Sequence, residues 1–264
     1  MRTTLRILQY EWKDLLRGKW VAGYGIFFLV LTDLLLRFAG SGANVLISLT
    51  NVMLLFIPLA ALIYGVLYLY QSREFVELLL AQPISRNSLY WGIYGGLSVP
   101  LTGAFLVGVA LPLTWHGVWT SEALASALLV LGMGSLLTLL FIGLGFWLGF
   151  AFYEDRIKGF GFALIAWLVM AVLYDALVLL VIYVFGDYPL EKPVLAMSVL
   201  NPIDLARIVI LLKFDISALM GYTGAVFSRF FGSAWGMVAA LFCMGLWWSI
   251  PLWRGQRIFT KRDF

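Results

Sequence analysis

Very few groups in this chain are equipped for covalent or metal chemistry. It has one histidine, His116, one cysteine, Cys243, and eight methionines. No Cys-x-x-Cys or Met-x-x-Met spacing gathers soft ligands, so no metal site is expected. Methionines in apolar runs are ordinarily packing residues. There is no Gly-x-x-x-x-Gly-Lys-Ser/Thr loop to cradle a triphosphate, no His-Glu-x-x-His helix and no Gly-x-Ser-x-Gly elbow. His116 stands in the turn "TWHGVWTSE" without the partners a general base needs. The expectation is a chain that is not an enzyme, binds no cofactor itself and draws any energy from another subunit.

Four groups of ionisable residues remain. Asp175 interrupts an apolar run, where a carboxylate is costly and ordinarily functional or paired; Tyr174 beside it can share its hydrogen bonds. Two readings stand: a structural pair with another segment, or a place on a transport path. Asp33 has Arg37 four residues on, the spacing of a helical ion pair. In "LNPIDLARIVILLKF", Asn201 is placed to cap a helix, Pro202 suits its first position, and Asp204 favours the positive end of the dipole. Arg207, three residues after Asp204, can pair with it. That segment reads either as a re-entrant or interfacial helix, or as an outer platform where Asp204, Arg207 and Lys213 meet a partner.

The fourth group is "REFVELLLAQPISRNS", residues 73–88. Glu74, Glu77 and Ala81 fall on one helical face and Phe75, Leu78 and Leu79 on another, with Val76 and Leu80 extending the apolar surface. A helix this short and this apolar needs a cover. Pro83 stops it, Ser85 or Asn87 can cap the helix that follows, and Arg86 stays at the interface.

The elements that position these residues follow from composition. The 264 residues are 62% hydrophobic and only 12% charged, half the usual share of charge in soluble domains. The expected fold is an all-α membrane protein with six transmembrane helices, at about 20–36, 52–70, 89–113, 123–152, 160–185 and 230–253, because roughly 20 apolar residues span the hydrocarbon. Residues 1–19 alternate Leu5, Leu8, Trp12, Leu15 and Leu16 with Arg2, Arg6, Lys13 and Arg17, an amphipathic helix lying on membrane lipids. With the N-terminus cytoplasmic, 13 of the 18 Lys and Arg lie inside, as the positive-inside rule favours. Both termini are then cytoplasmic, residues 71–88 form the first inner loop and residues 186–229 an outer segment. Residues 1–264 read as one domain, and the net charge of +4 reflects orientation rather than a nucleic-acid partner.

"ELLLAQPISRNSLYWGIYGG" resembles the first cytoplasmic loop of ABC-2 type transporter permeases. The matching residues are Glu77, Leu78, Leu79, Leu80, Gln82, Pro83, Ser85, Arg86 and Gly92. Glu74 and Phe75 replace a common Gly-Thr, and Ile93 replaces a common Lys. The resemblance implies that residues 71–86 are a coupling helix docking into a cytoplasmic ABC ATPase subunit, which carries ATP and Mg. Glu74, Glu77 and Arg86 would make polar contacts there, Phe75, Leu78 and Leu79 would fill the groove, and Gln82 and Pro83 belong to the same element. It also implies a homodimer in a bacterial or archaeal cell (inner) membrane. "VLYDALVLLVIYVFGDYP" with "NPIDLARIVILLKF" is similar to permeases of nitrous-oxide reductase maturation transporters. This implies export of a substrate for periplasmic enzyme maturation and a periplasmic accessory protein. The alternative is a membrane anchor or scaffold that recruits a soluble partner and moves nothing.

Overall fold

The computed structural model describes residues 19–38, 42–120, 123–186, 188, 191–213 and 234–262, and among these there is no strand. The amphipathic helix expected before Lys19 lies outside the described residues. Among the described residues, ten α-helices follow in order: α1 (Lys19–Phe38), α2 (Gly42–Gln71), α3 (Arg73–Leu80), α4 (Arg86–Trp115), α5 (Leu124–Ala151), α6 (Arg156–Leu168), α7 (Tyr174–Val184), α8 (Glu191–Val199), α9 (Pro202–Lys213) and α10 (Ala234–Lys261). A π-helical turn, Val169–Leu173, joins α6 to α7.

Among the described residues, six stretches are long and apolar enough to cross a membrane: α1, α2, α4, α5, the α6–α7 unit and α10. This is the multi-pass all-α architecture expected. Two boundaries differ. The second helix begins at Gly42 rather than Val52, since the uncharged residues between offer nothing to stop it. The last continues through the basic tail to Lys261, because Arg, Gln and Lys are good helix formers and Phe259 is buried against Phe150, ring centroids 5.0 Å apart.

α5 sits at the centre, flanked by α2, α4 and α10. It is apolar all round, as a helix enclosed by others must be. Small residues let the backbones approach. A Cβ on Gly145 would lie 2.7 Å from the Leu62 carbonyl of α2, and one on Gly108 of α4 2.6 Å from the Gly25 carbonyl of α1. Buried tyrosines tie α4 to its neighbours: Tyr90 donates to the Leu252 carbonyl at 3.0 Å and Tyr94 to the Leu139 carbonyl at 2.9 Å.

The α6–α7 unit lies on the outside, and no residue of α7 is buried. α8 and α9 meet at 108°. α9 turns into the bundle and packs on α2, α5 and α10, with Ile203, Leu205, Ala206, Val209 and Ile210 buried. The expected re-entrant element is thus a bent helix pair whose second arm belongs to the core.

Candidate functional site

At the end of the bundle where most basic residues collect, α3 lies between α2 and α4. Its Val76 is 1% exposed, and Leu79, Leu80 and Ile84 pack against the core. Val76, Leu79 and Leu80 form one stripe at three- and four-residue spacing, and Ile84 follows in the turn beyond. Glu74 and Leu78, four apart, point outward with Glu77; Leu78 is 60% exposed. The apolar set expected to act together is therefore divided: Leu78 is presented outward with the glutamates, while Phe75 and Leu79 are half-buried. Helix register alone causes this, as Leu78 and Leu79 stand a hundred degrees apart. Gln82 and Pro83 are exposed in the turn beyond.

Arg73 bonds Glu77 at 2.9 Å, which holds the guanidinium pKa above its ordinary value. Arg73 also lies 5.0 Å over the ring of Tyr153, and Arg262 lies 5.1 Å over the same ring. Arg262 donates to the Phe150 carbonyl at 2.8 Å and pairs with Glu154 at 3.0 Å. Ser85 caps α4, accepting from the Ser88 N–H at 3.3 Å, and Asn87 instead accepts from Gln256 at 3.1 Å. Arg86 is half-buried and donates to the carbonyls of Thr260 at 2.9 Å and Arg262 at 2.6 Å. It closes the C-terminus of α10, where a cation is favoured by the dipole. α3, the 152–155 loop and the end of α10 are thus one bonded unit. Nothing in the sequence linked Tyr153, Glu154 and Arg262 to α3, since only the fold brings those positions together.

At the opposite end, Asp175 opens α7 directly after the π turn. Arg207 Nη1 is 2.9 Å from both Asp175 carboxylate oxygens and 3.0 Å from Asp204 Oδ1. One guanidinium therefore serves two carboxylates. Asp204 is 8% exposed. The residues expected on an outer platform, Asp204 and Arg207, are turned into the chain, because burial of α9 carries their side chains toward α7; the Lys213 side chain lies outside the described residues. The expected cap forms: Asn201 Oδ1 accepts from the Ile203 N–H at 3.1 Å, and its amide donates to the Met170 carbonyl in the π turn at 2.8 Å. Tyr174 donates to the Met197 carbonyl of α8. π turns widen the helical hydrogen-bond ladder and recur at functional positions. Here the turn supplies an acceptor to the α8–α9 corner.

Asp33 also gains partners beyond Arg37, at 2.7 Å. His116 lies 2.8 Å from Asp33 Oδ1, and the Trp115 indole donates to the same oxygen at 3.3 Å. This joins the ends of α1 and α4 that lie away from α3.

No family model matches the chain. Over 269 aligned positions, covering 96% of this chain and 94% of the other, it is 26% identical to a Pseudomonas aeruginosa protein described as a probable ABC transporter permease protein NosY.

Proposed function

We propose that this chain is the membrane-spanning subunit of an ATP-driven ABC transporter, working as a homodimer with a separate cytoplasmic ATPase that binds ATP and Mg. The observation that carries the reading is α3, a short helix whose inner stripe is held by its own bundle while Glu74, Glu77 and Leu78 face outward. A charged rim around an exposed leucine suits a protein groove better than water. Similarity along nearly the whole length to an ABC transporter permease supports the same reading. The positive-inside rule puts this basic end in the cytoplasm.

Coupling then has a physical route. Closure of the ATPase pair moves α3; Arg73 and Arg262 carry the displacement to Tyr153 and the 152–155 loop, from which α6 starts. The α6–α7 unit meets the Asp175–Arg207–Asp204 cluster and the Asn201–Met170 bond at and just after its π turn. Tilting it breaks or remakes these contacts and moves α9 between two packed positions, a two-state element rather than a continuous deformation. Two such outer latches around a shared axis would gate the path. The cargo proposed is a substrate exported for maturation of a periplasmic enzyme, of the nitrous-oxide reductase type, with an accessory protein receiving it outside.

The test is copurification of ATPase activity with the tagged chain from native membranes, comparing wild type with Leu78→Asp and Glu77→Arg. Loss or uncoupling of the activity in both variants, with insertion unchanged, is expected. An intact chain that brings no ATPase would overturn the transporter reading and leave the scaffold. Glu77→Arg failing alone would show that the Arg73–Glu77 pair, rather than the docking face, matters.

A further inference from the structure

α10 is longer than a bilayer requires. Its 28 residues extend about 42 Å, against a hydrocarbon thickness of ~30 Å. One exposed ridge runs along it through Val238, Phe242, Leu246, Ile250 and Trp253. These span about 22 Å, and up to Trp253 the ridge carries no charge. At Arg254 it switches abruptly to Arg254, Arg257 and Lys261, all exposed. In a membrane-spanning chain an exposed apolar ridge suits lipid tails and a switch to cations suits headgroups, so Arg254 marks the headgroup depth.

At that depth a cleft of about 830 Å³ opens between the end of α5 and the last turns of α10. Trp147 and Phe150 wall one side; Trp253 and Ile258 belong to the other, with the basic residues around its mouth. Arg254 lies 5.4 Å over the Trp147 ring and Arg257 5.2 Å over Trp253. Each guanidinium is thereby oriented by an indole without being neutralised. Arg254, Arg257 and Lys261 form no ion pair among the described residues. Arg262, bound to Glu154 and the Phe150 carbonyl, frames the cleft rather than adding free charge.

We propose that this cleft binds the phosphate headgroup of an anionic phospholipid, whose acyl chains lie along the apolar ridge of α10. Paired guanidiniums at headgroup depth match a phosphodiester by charge and by fork geometry, and the ridge continues the site at about the length of an acyl chain. A soluble protein surface would use the cations but leave the ridge unexplained, which is why lipid is favoured over a second docking face for the ATPase. The site requires only that the chain spans a membrane and stands apart from the transport reading.

The test is native mass spectrometry of the full chain in mild detergent, titrated with phosphatidylglycerol and phosphatidylcholine. Wild type is expected to retain phosphatidylglycerol preferentially. The double variant Arg254→Gln/Arg257→Gln loses about thirtyfold in that preference, from roughly 1 kcal/mol per basic residue. Arg254→Lys/Arg257→Lys keeps most of it, showing that the loss is not misfolding. Arg156→Gln/Lys158→Gln, which removes the same charge at the same end but outside the cleft, leaves it unchanged. Equal losses from the two glutamine pairs would overturn the site, as would a wild type without preference. Lipid retention unaffected by the Arg254/Arg257 variant, with copurifying ATPase lost instead, would reassign the cleft to protein docking and overturn the proposal.

Discussion

Arg207 is the residue on which the outer cluster depends, because it is the cation in contact with both Asp175 and Asp204. Arg207→Ala leaves two carboxylates facing one another in a poorly hydrated setting and should destabilise the chain by roughly 1–3 kcal/mol, the cost of stranding a part-buried polar group. Asp175→Asn keeps the Arg207–Asp204 contact and should cost less than half as much. Thermal melts of the two purified variants, read by tryptophan fluorescence, give the order; a larger loss for Asp175→Asn would show that Asp175 has another partner. The sequence made Asp175 conspicuous, since a lone carboxylate in an apolar run has to be answered. It also placed Arg207 within reach of Asp204. What it did not supply was Arg207 as the partner of Asp175, because a contact across thirty-two positions depends on the bend at Asn201, and no periodicity encodes where the second arm of a bent pair comes to rest. Arg86 teaches the converse. The resemblance gives it a docking contact, and the fold adds one that the sequence did not offer, the carbonyls of Thr260 and Arg262 at the end of α10.

At the scale of elements, the bundle depends on backbone contact between α2 and α5 and on how α10 ends. Gly145→Ala drives a methyl to within 2.7 Å of the Leu62 carbonyl, which requires the helices to part and should cost about 1–3 kcal/mol. Gly132→Ala on the same helix meets nothing within 4 Å and should be neutral or slightly stabilising. Comparing their melting temperatures separates packing from propensity; equal shifts would contradict the close crossing. Arg86→Ala should loosen the last turn of α10 by about 1–2 kcal/mol, the worth of charge-assisted bonds to two carbonyls. Amide exchange in residues 258–262 is expected to quicken about tenfold, and protection equal to wild type would remove Arg86 from that role. The spans themselves were readable, because length and apolarity suffice to mark a membrane helix. The extension of α10 was not, since a basic tail reads as solvated until the burial of Phe259 against Phe150 is seen.

For the whole molecule, the question is what the α6–α7 unit faces. The bundle is centred on α5, yet no residue of α7 is buried, and Leu180 and Tyr183 are 61% and 88% exposed. α7 nevertheless carries Asp175, the residue that ion-pairs with Arg207 of α9. In the coupling route proposed above, a span that bears this contact but has little packing of its own must gain its rigidity elsewhere, or displacement at the basic end would dissipate before reaching Arg207. A second copy of the chain supplies that rigidity if α7 lies against its counterpart in a twofold pair, where each residue meets its own equivalent near the axis. Cys243 is the chain's one cysteine, so Cys243→Ser provides a background for single substitutions. On it, Leu180→Cys should crosslink to a dimer in native membranes within minutes of mild oxidation, while Phe242→Cys, on the lipid-facing ridge of α10, should remain mostly monomeric. Strong crosslinking at Phe242 and none at Leu180 would move the pairing surface to α10, and with it the axis around which any path is built. The lipid cleft would then lie inside the dimer rather than on its rim, so this one comparison fixes the geometry in which the coupling route and the cleft are to be understood.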